Sequence, residues 1–390
     1  MSKIFRQYLS DAKTVLYRRP KDEFARMCRW GPRAYFLCDS WMREMEEAAY
    51  RLEPIRKAEI RNLKSEISIL GDEKKSFDHR PSTIDNAPVA LWFLTGKRFW
   101  YQTAFCAWTF AKHSGREVIL NLVDDGTLSD EHHAGLRRLF PQGVTVHKSD
   151  VQERIEALLP VERFPILRQR WADYINIRKL TDIHLGSTGV KLVLDSDMLI
   201  FRKPQAILDW WDAAHGAASE RYKGVKYEGM EGGRPSVVSS QKSQESVLSS
   251  DDSGILSPNS LKPTAYSPLL MTDCEESYGY SRSLMEELAR APIPPLLNVG
   301  ICGLRSESLD WEELEHWCRT LLAREGTSYF LEQALVAMLA AKLSPTVMPR
   351  SEYITFPTEQ QTVNGEGVLQ HYVSDSKPWY FGKAWKYAVT

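Results

Sequence analysis

Lys191-Leu192-Val193-Leu194-Asp195-Ser196-Asp197-Met198-Leu199-Ile200 decides how the rest of this chain is read, because an apolar strand there ends in two carboxylates separated by one serine. Side chains two apart on an extended segment point the same way, so the spacing predicts that Asp195 and Asp197 converge on one site. Two carboxylates that close repel unless a cation lies between them. Hard oxygen ligands of this kind suit magnesium or manganese bound together with phosphate oxygens. A bare D-x-D tripeptide also arises by chance at a strand end, so its meaning depends on what surrounds it.

Upstream, Val89-Ala90-Leu91-Trp92-Phe93-Leu94 reads as a short buried strand, followed by Thr95-Gly96-Lys97. A helical stretch from Tyr101 to His113 and a second strand, Val118 to Val123, come next. Strand, helix, strand, helix is the pattern of an α/β parallel sheet, whose ligands gather at the carboxyl ends of the strands. Thr95, Asp124, Asp195 and Asp197 all fall at such ends. Val123-Asp124-Asp125-Gly126-Thr127 looks like the opening of a dehalogenase-type phosphatase, but Val123 stands where the nucleophilic aspartate would be needed. It is read instead as a turn, with a helix capped at Ser129 or Asp130.

Downstream of Trp210-Trp211, a stretch from about Gly216 to Pro268 is full of Ser, Gly, Pro and Lys. A loop this long without periodicity is expected to be a mobile insertion that orders partly on substrate binding. A strand is expected over Leu296 to Arg305, with Asn298 and Gly300 placed for close approach to a ligand, then a helix from about Leu309 to Leu322. A further helix carries Glu332 and Gln333 at its start, where the helix dipole favours anions. Near the end come His371, able to supply a nitrogen ligand, and Lys377, able to neutralise a phosphate.

The 390 residues suit one large domain with an extension or two modest domains, and 43% hydrophobic residues with 12 Trp supply ample core. A formal net charge of -1 gives no global field for nucleic acid, so no nucleic-acid partner is expected. The six cysteines are scattered without a C-x-x-C pair and read as reduced, mostly buried thiols. Met1-Ser2-Lys3-Ile4-Phe5-Arg6 lacks the apolar core of a signal peptide, and no apolar run reaches the ~20 residues of a membrane helix, so a cytoplasmic location is expected.

Residues 1–86 differ in texture, being charged and helically periodic, and are read as an N-terminal helical extension ahead of a main domain over 87–390. Lys3, Arg6, Lys13, Arg18, Arg19 and Lys21 are interleaved with Phe5, Tyr8, Leu9 and Val15, a pattern that allows peripheral contact with an anionic membrane. A solvated helix packed on the main domain is the simpler alternative.

Taken together, the Thr95-Gly96 strand end, Asp195-Ser196-Asp197, Asn298-Val299-Gly300-Ile301, and His371 followed by Lys377-Pro378-Trp379 resemble, in that order, the GT-A-fold glycosyltransferases. Within these, the glycogenin-like retaining branch is the nearest in pattern, and the resemblance runs from about Pro88 to Trp385. It implies a Rossmann-like mixed sheet flanked by helices, and transfer of a sugar from a nucleotide-diphosphate donor, with a UDP-sugar favoured, to an acceptor hydroxyl. It further implies that Asp195, Asp197 and His371 hold Mn2+ or Mg2+, that Lys377 contacts the diphosphate, and that Asp195 and Ser196 belong to the donor-binding set. Thr95, Gly96 and Tyr101 fall in the base and ribose region. Arg178 faces the donor, and Asn298 and Gly300 approach the transferred sugar. Glu332-Gln333 stands where glycogenin-like members have Asp-Gln.

Lys97-Arg98-Phe99-Trp100 departs from the family's acidic and tyrosine pattern, and neither the extension nor the Ser-rich stretch has a counterpart. Glu332 is either a group stabilising the sugar in a retaining reaction or the general base of an inverting one. Other readings of the chain are a nucleotidyltransferase, of whose Gly-rich basic loop Thr95-Gly96-Lys97-Arg98 is only a fragment, a non-catalytic sugar-nucleotide binder, and a partner-binding scaffold.

Overall fold

The structure, a computed structural model, describes residues 19–55, 87–222 and 267–389. The basic run Lys3 to Arg18, the helical run expected beyond Ile55, and most of the Ser-rich stretch lie outside the described residues.

Two helices open the described chain, α1 (Arg19–Trp30) and α2 (Pro32–Arg51). The first half of the main sheet follows as β1 (Val89–Thr95), α3 (Trp100–Ser114), β2 (Val118–Asp124), α4 (Asp130–Leu139) and β3 (Val144–Val146). Helices α5 (Lys148–Leu158), α6 (Pro165–Asp173) and α7 (Arg178–His184) lead to β4 (Val190–Leu194), β5 (Met198–Ile200) and α8 (Gln205–Tyr222). The second half comprises β6 (Leu269–Thr272), α9 (Arg282–Ala289), β7 (Leu297–Arg305), α10 (Trp311–Glu325), α11 (Leu331–Leu343) and β8 (Thr346–Val347). The chain closes with β9 (Tyr353–Thr355), α12 (Glu359–Asn364), β10 (Leu369–His371), α13 (Lys377–Trp379), a wide π turn over Tyr380–Ala384, and α14 (Trp385–Val389).

Seven strands form one mixed sheet in the order β3-β2-β1-β4-β7-β6-β8. Strands β1 to β4 are parallel to one another, whereas β7 runs antiparallel to both β4 and β6. The parallel grammar of the first half therefore gives way beyond β4 to antiparallel pairing about β7, with β8 added parallel to β6 at the edge. Strand β1 shows why the sheet is a middle layer. Val89, Leu91 and Phe93 are buried in one core, while Trp92 and Leu94, pointing the other way, pack on a second. Each such fully buried side chain contributes about 1.5–3 kcal/mol of transfer free energy.

The helical extension is part of the first core. Cys38, Met45, Ala49 and Leu52 are buried with Phe93, Trp100 and Phe105, and Trp100 Nε1 donates to Glu46 at 2.8 Å. Ion pairs Arg29–Asp375 (2.9 Å) and Lys386–Glu44 (2.7 Å) tie α1 and α2 to the last turns of the described chain. Helix α8 runs on to Tyr222, so the aperiodic stretch expected from Gly216 begins as helix. All six cysteines are free thiols, with Cys28 exposed. Among the described residues no helix is long and apolar enough to cross a membrane.

Candidate active site at the carboxyl ends of the sheet

Strand β4 delivers Asp195 at its carboxyl end, and the chain bends before continuing as β5. Residues 195–197 are thus a bend, not the extended segment on which the alternation argument rested. Their side chains converge because both ends of the bend are pinned. Asp195 N–H donates to Gly300 O at 2.8 Å, and the Asp197 carbonyl accepts from Tyr372 N–H at 2.9 Å. Between them the Ser196 carbonyl accepts the Tyr380 hydroxyl at 3.3 Å.

A small second sheet, β5-β10-β9, supplies the histidine. Antiparallel register sets His371 opposite Met198, one residue past Asp197. The imidazole Nε2 lies 3.2 Å from Asp197 Oδ1 and 3.7 Å from Asp195 Oδ2. Gly300 is required here: a Cβ would sit 2.5 Å from the His371 ring. One ligand atom from each of Asp195, Asp197 and His371 lies within 4.8 Å of the others. Two carboxylates and an imidazole fit manganese or magnesium as a donor set. The ammonium of Lys377 contacts Asp197 and that of Lys179 lies 2.7 Å from Asp195 Oδ1, so the acids' charge is met here by lysines, and a metal ion would take over part of that role only with phosphate oxygens present to meet the lysines in turn.

These contacts set the protonation states. Burial alone would raise the Asp197 carboxyl, but Lys377 and His371 hold it well below the usual carboxylate range. Burial would lower Lys179, yet Asp195 and Glu332 outweigh it and keep the ammonium charged. Glu332, 3.7 Å from Lys179 and 3% exposed, is raised from 4.5 to about 7 chiefly by burial, with Lys179 opposing and Asp195 adding.

Other residues singled out in the sequence fall in different places. Arg178 donates from Nε to the Trp171 carbonyl at 3.1 Å and stacks on the Trp171 ring, so its contacts lie away from the acidic pair. Successive side chains on α7 point about 100° apart, and it is the neighbour Lys179 that faces the site. Gln333 is turned to Asp273 (3.2 Å) and to the Ser277 carbonyl (2.9 Å). The Asn298 side-chain amide also donates to Asp273, at 3.1 Å, while its Oδ1 accepts Gly300 N–H at 2.8 Å. Asp273, absent from the sequence reading, is therefore the anchor that orients Asn298 and Gln333. Tyr174, equally unforeseen, links α11 to the segment ahead of α7, accepting Glu332 N–H at 3.2 Å and donating to the Tyr329 carbonyl at 2.5 Å.

At the end of β1, the Thr95 hydroxyl is buried and accepts from Thr103 at 2.9 Å, and a Cβ on Gly96 would collide with the Asp125 carboxylate. Tyr101 is 3% exposed within the core, its hydroxyl without a hydrogen-bond partner among the described residues, so its ring lies away from the surface that a base or ribose would reach. It starts α3 beneath the helical extension, and the pattern of the strand end alone carried no sign of that cover.

No family model and no curated protein matches the sequence. Solved structures with a similar arrangement include mouse xyloside xylosyltransferase 1 in its apo form, at 11% identity over 73% of this chain and 97% of that one, TM-score 0.41. The galactosyltransferase LgtC, in complex with donor and acceptor sugar analogs, matches at 11% identity over 77% and 95%, TM-score 0.43. The glycosyltransferase GlyE of Streptococcus pneumoniae matches at 11% identity over 78% and 61%, TM-score 0.39. At such identities and scores the chemistry of this chain has to be argued from its own site.

Proposed function

We propose that this chain is a divalent-metal-dependent glycosyltransferase that moves a sugar from a nucleotide-diphosphate donor to an acceptor hydroxyl. The observation that carries the reading is the meeting of Asp195, Asp197 and His371 with two ammonium groups and a buried carboxyl at the carboxyl ends of one α/β sheet. Simple sugar binding has no need of three metal-type ligands flanked by two lysines.

Cleavage between an anomeric carbon and a diphosphate builds negative charge on the leaving phosphate. Asp195, Asp197 and His371 would hold manganese or magnesium, which when bound supplies Lewis-acid stabilisation to that charge. Lys377 exchanges its contact with Asp197 for one with the departing phosphate, a stronger partner in the transition state than in the ground state. Lys179 holds Glu332 and Asp195 in fixed geometry, so these carboxyls would need little reorganisation to act electrostatically on positive character developing at the anomeric carbon.

Glu332 is almost wholly enclosed, whereas a general base must reach an acceptor that arrives from solvent. This favours attack on the same face from which the phosphate leaves, with a phosphate oxygen taking the acceptor proton and the anomeric configuration retained. Tyr329 and Phe330, exposed at 72% and 37% beside α11, are apolar rings suited to stacking on a carbohydrate acceptor. The basic N-terminal run from Lys3 to Lys21 would make a peripheral contact with an anionic membrane, to which the exposed rings of Phe24 and Phe36 could add apolar contact; flotation with anionic vesicles tests it.

The deciding experiment measures thermal stability against a panel of nucleoside diphosphates and nucleotide sugars, UDP-sugars first, each with and without Mn2+. A ligand at a hundred times its Kd adds about 2.7 kcal/mol to the folded state. A Mn2+-dependent shift for one nucleotide supports the donor site and names the base; no shift with any nucleotide overturns the reading.

A further inference from the structure

A second set of metal-type ligands lies two strands away from Asp195 and has no part in the reaction above. Asp124, His133 and His147 each offer one ligand atom, and the three atoms lie within 4.8 Å of one another. We infer that this cluster is a separate site for a zinc-class divalent cation.

The sheet itself assembles it. Strands β2 and β3 are parallel, with Val123 paired to Val146, so Asp124, the last residue of β2, and His147, the first residue past β3, stand side by side at the carboxyl ends of adjacent strands. Neighbouring strands are about 4.8 Å apart, which brings the two positions within the span of one ion. His133 comes from the first turns of α4, the crossover between the same strands, whose start is fixed by Ser129 accepting His132 N–H at 3.4 Å.

The carboxylate is buried and aimed. Asp124 is 6% exposed, and its Oδ1 is occupied by Gly126 N–H (2.8 Å) and Leu128 N–H (3.3 Å). That leaves Oδ2 facing His133 Nε2, 3.6 Å away. The rings of His133 and His147 have centroids 5.8 Å apart at 61°, an edge arrangement that leaves room for both to turn a nitrogen toward one point. Ligand atoms about 2.0–2.1 Å from a tetrahedral zinc ion are separated by about 3.3–3.5 Å, so small side-chain rotations close the set.

Donor chemistry separates this cluster from the first. Two imidazoles and one carboxylate suit zinc, whereas two carboxylates and one imidazole beside phosphate oxygens suit manganese or magnesium. Three protein ligands leave the fourth zinc position open to water or to an oxygen or nitrogen of a small ligand. Occupancy would clamp the turn from Asp124 to Leu128. That turn touches the end of β1, since Thr127 Oγ1 accepts Lys97 N–H at 2.8 Å and Asp125 N–H donates to Thr95 O at 3.0 Å.

The inference does not rest on the transferase reading, and its test reads metal alone. The chelator-stripped full chain is titrated with Zn2+ in competition with a chromogenic chelator, as wild type, as Asp195→Ala/Asp197→Ala, as His133→Ala and as His147→Ala. The expected result is a tight equivalent that survives in the double variant. That equivalent should weaken in each histidine variant by at least the about 10–100-fold that loss of even an outer-shell partner costs. His147 is exposed, so His147→Ala should keep its fold, with circular dichroism as the check. Co2+ substitution gives a second measurement, with intense visible absorption of a tetrahedral ion lost in His147→Ala. Absence of the equivalent from a folded double variant, or unchanged affinity and spectrum in His147→Ala, overturns the inference.

Discussion

Two acid–histidine clusters lie beyond the carboxyl ends of one sheet, two strand spacings or about 10 Å apart, and they differ in how their charge is met. Around Asp195 and Asp197, two lysines and a histidine from α7, α13 and β10 close on the acids. Around Asp124, one carboxylate oxygen is already satisfied by the backbone of its own turn, and imidazoles face the other. The contrast teaches that position in an α/β sheet predicts where ligands gather, while the donor atoms and their counter-charges decide which ligand.

The first cluster is a set of mutually dependent charges, and the largest expected effect comes from removing the charge it shares most widely. Lys179→Met leaves Asp195 and Glu332 facing each other without their cation, a loss worth about 3–5 kcal/mol when a buried pair is broken. Urea unfolding of the folded variant measures it; a cost below about 1 kcal/mol would show that the acids never depended on that ammonium.

Asp197→Ala comes next. It removes a metal-type ligand and the partner of both His371 and Lys377, and is expected to abolish the Mn2+-dependent nucleotide shift. Any transferase activity should fall by at least the 10²–10³-fold typical of losing one preorganised electrostatic group, as read by steady-state kinetics on a folded variant.

Glu332 gives a pH test with a definite sign. The unfolded chain releases this proton near 4.5 and the folded chain holds it to about 7, so the stability it contributes is present below 4.5 and is lost as pH rises toward 7. The urea midpoint of the wild type should therefore fall between about pH 5 and pH 8 relative to Glu332→Gln, which has no proton to lose. Parallel curves would remove Glu332 from the linked set.

The smallest effect is expected at the residue next door to the most important one. Arg178→Ala gives up a cation–π contact and a bond to the Trp171 carbonyl, about 0.5–2 kcal/mol of stability, and leaves nucleotide binding unchanged. A lost Mn2+-dependent shift in Arg178→Ala would show that the guanidinium leaves Trp171 when a donor binds.

That pair of neighbours also measures what a sequence makes legible. Strands β1, β2, β4 and β7 were readable because each is an apolar run of five to nine residues bounded by clear breaks. Asp195, Asp197, His371 and Lys377 were readable as one set, and the structure brings them into contact. Choosing between Arg178 and Lys179 needed the rotation of α7, a seven-residue helix too short to show a periodic face. Strands β5, β9 and β10 have three residues each, below the length at which alternation can be seen, so the sheet that brings His371 to Asp197 left no trace in the pattern. Asp273 was invisible for another reason, since a carboxylate that orients two amides looks like any other acid at a strand end.

The pairing of β10 with β5 also carries a consequence for synthesis. Asp197 and Lys377 are 180 positions apart, so at about 5–20 residues per second the ribosome needs about 10–40 s to pass from one to the other. Until residue 371 is reached, the nascent acids have neither His371 nor Lys377. A translation product halted just before residue 371 would carry both aspartates and all seven strands of the large sheet, yet could not assemble the site.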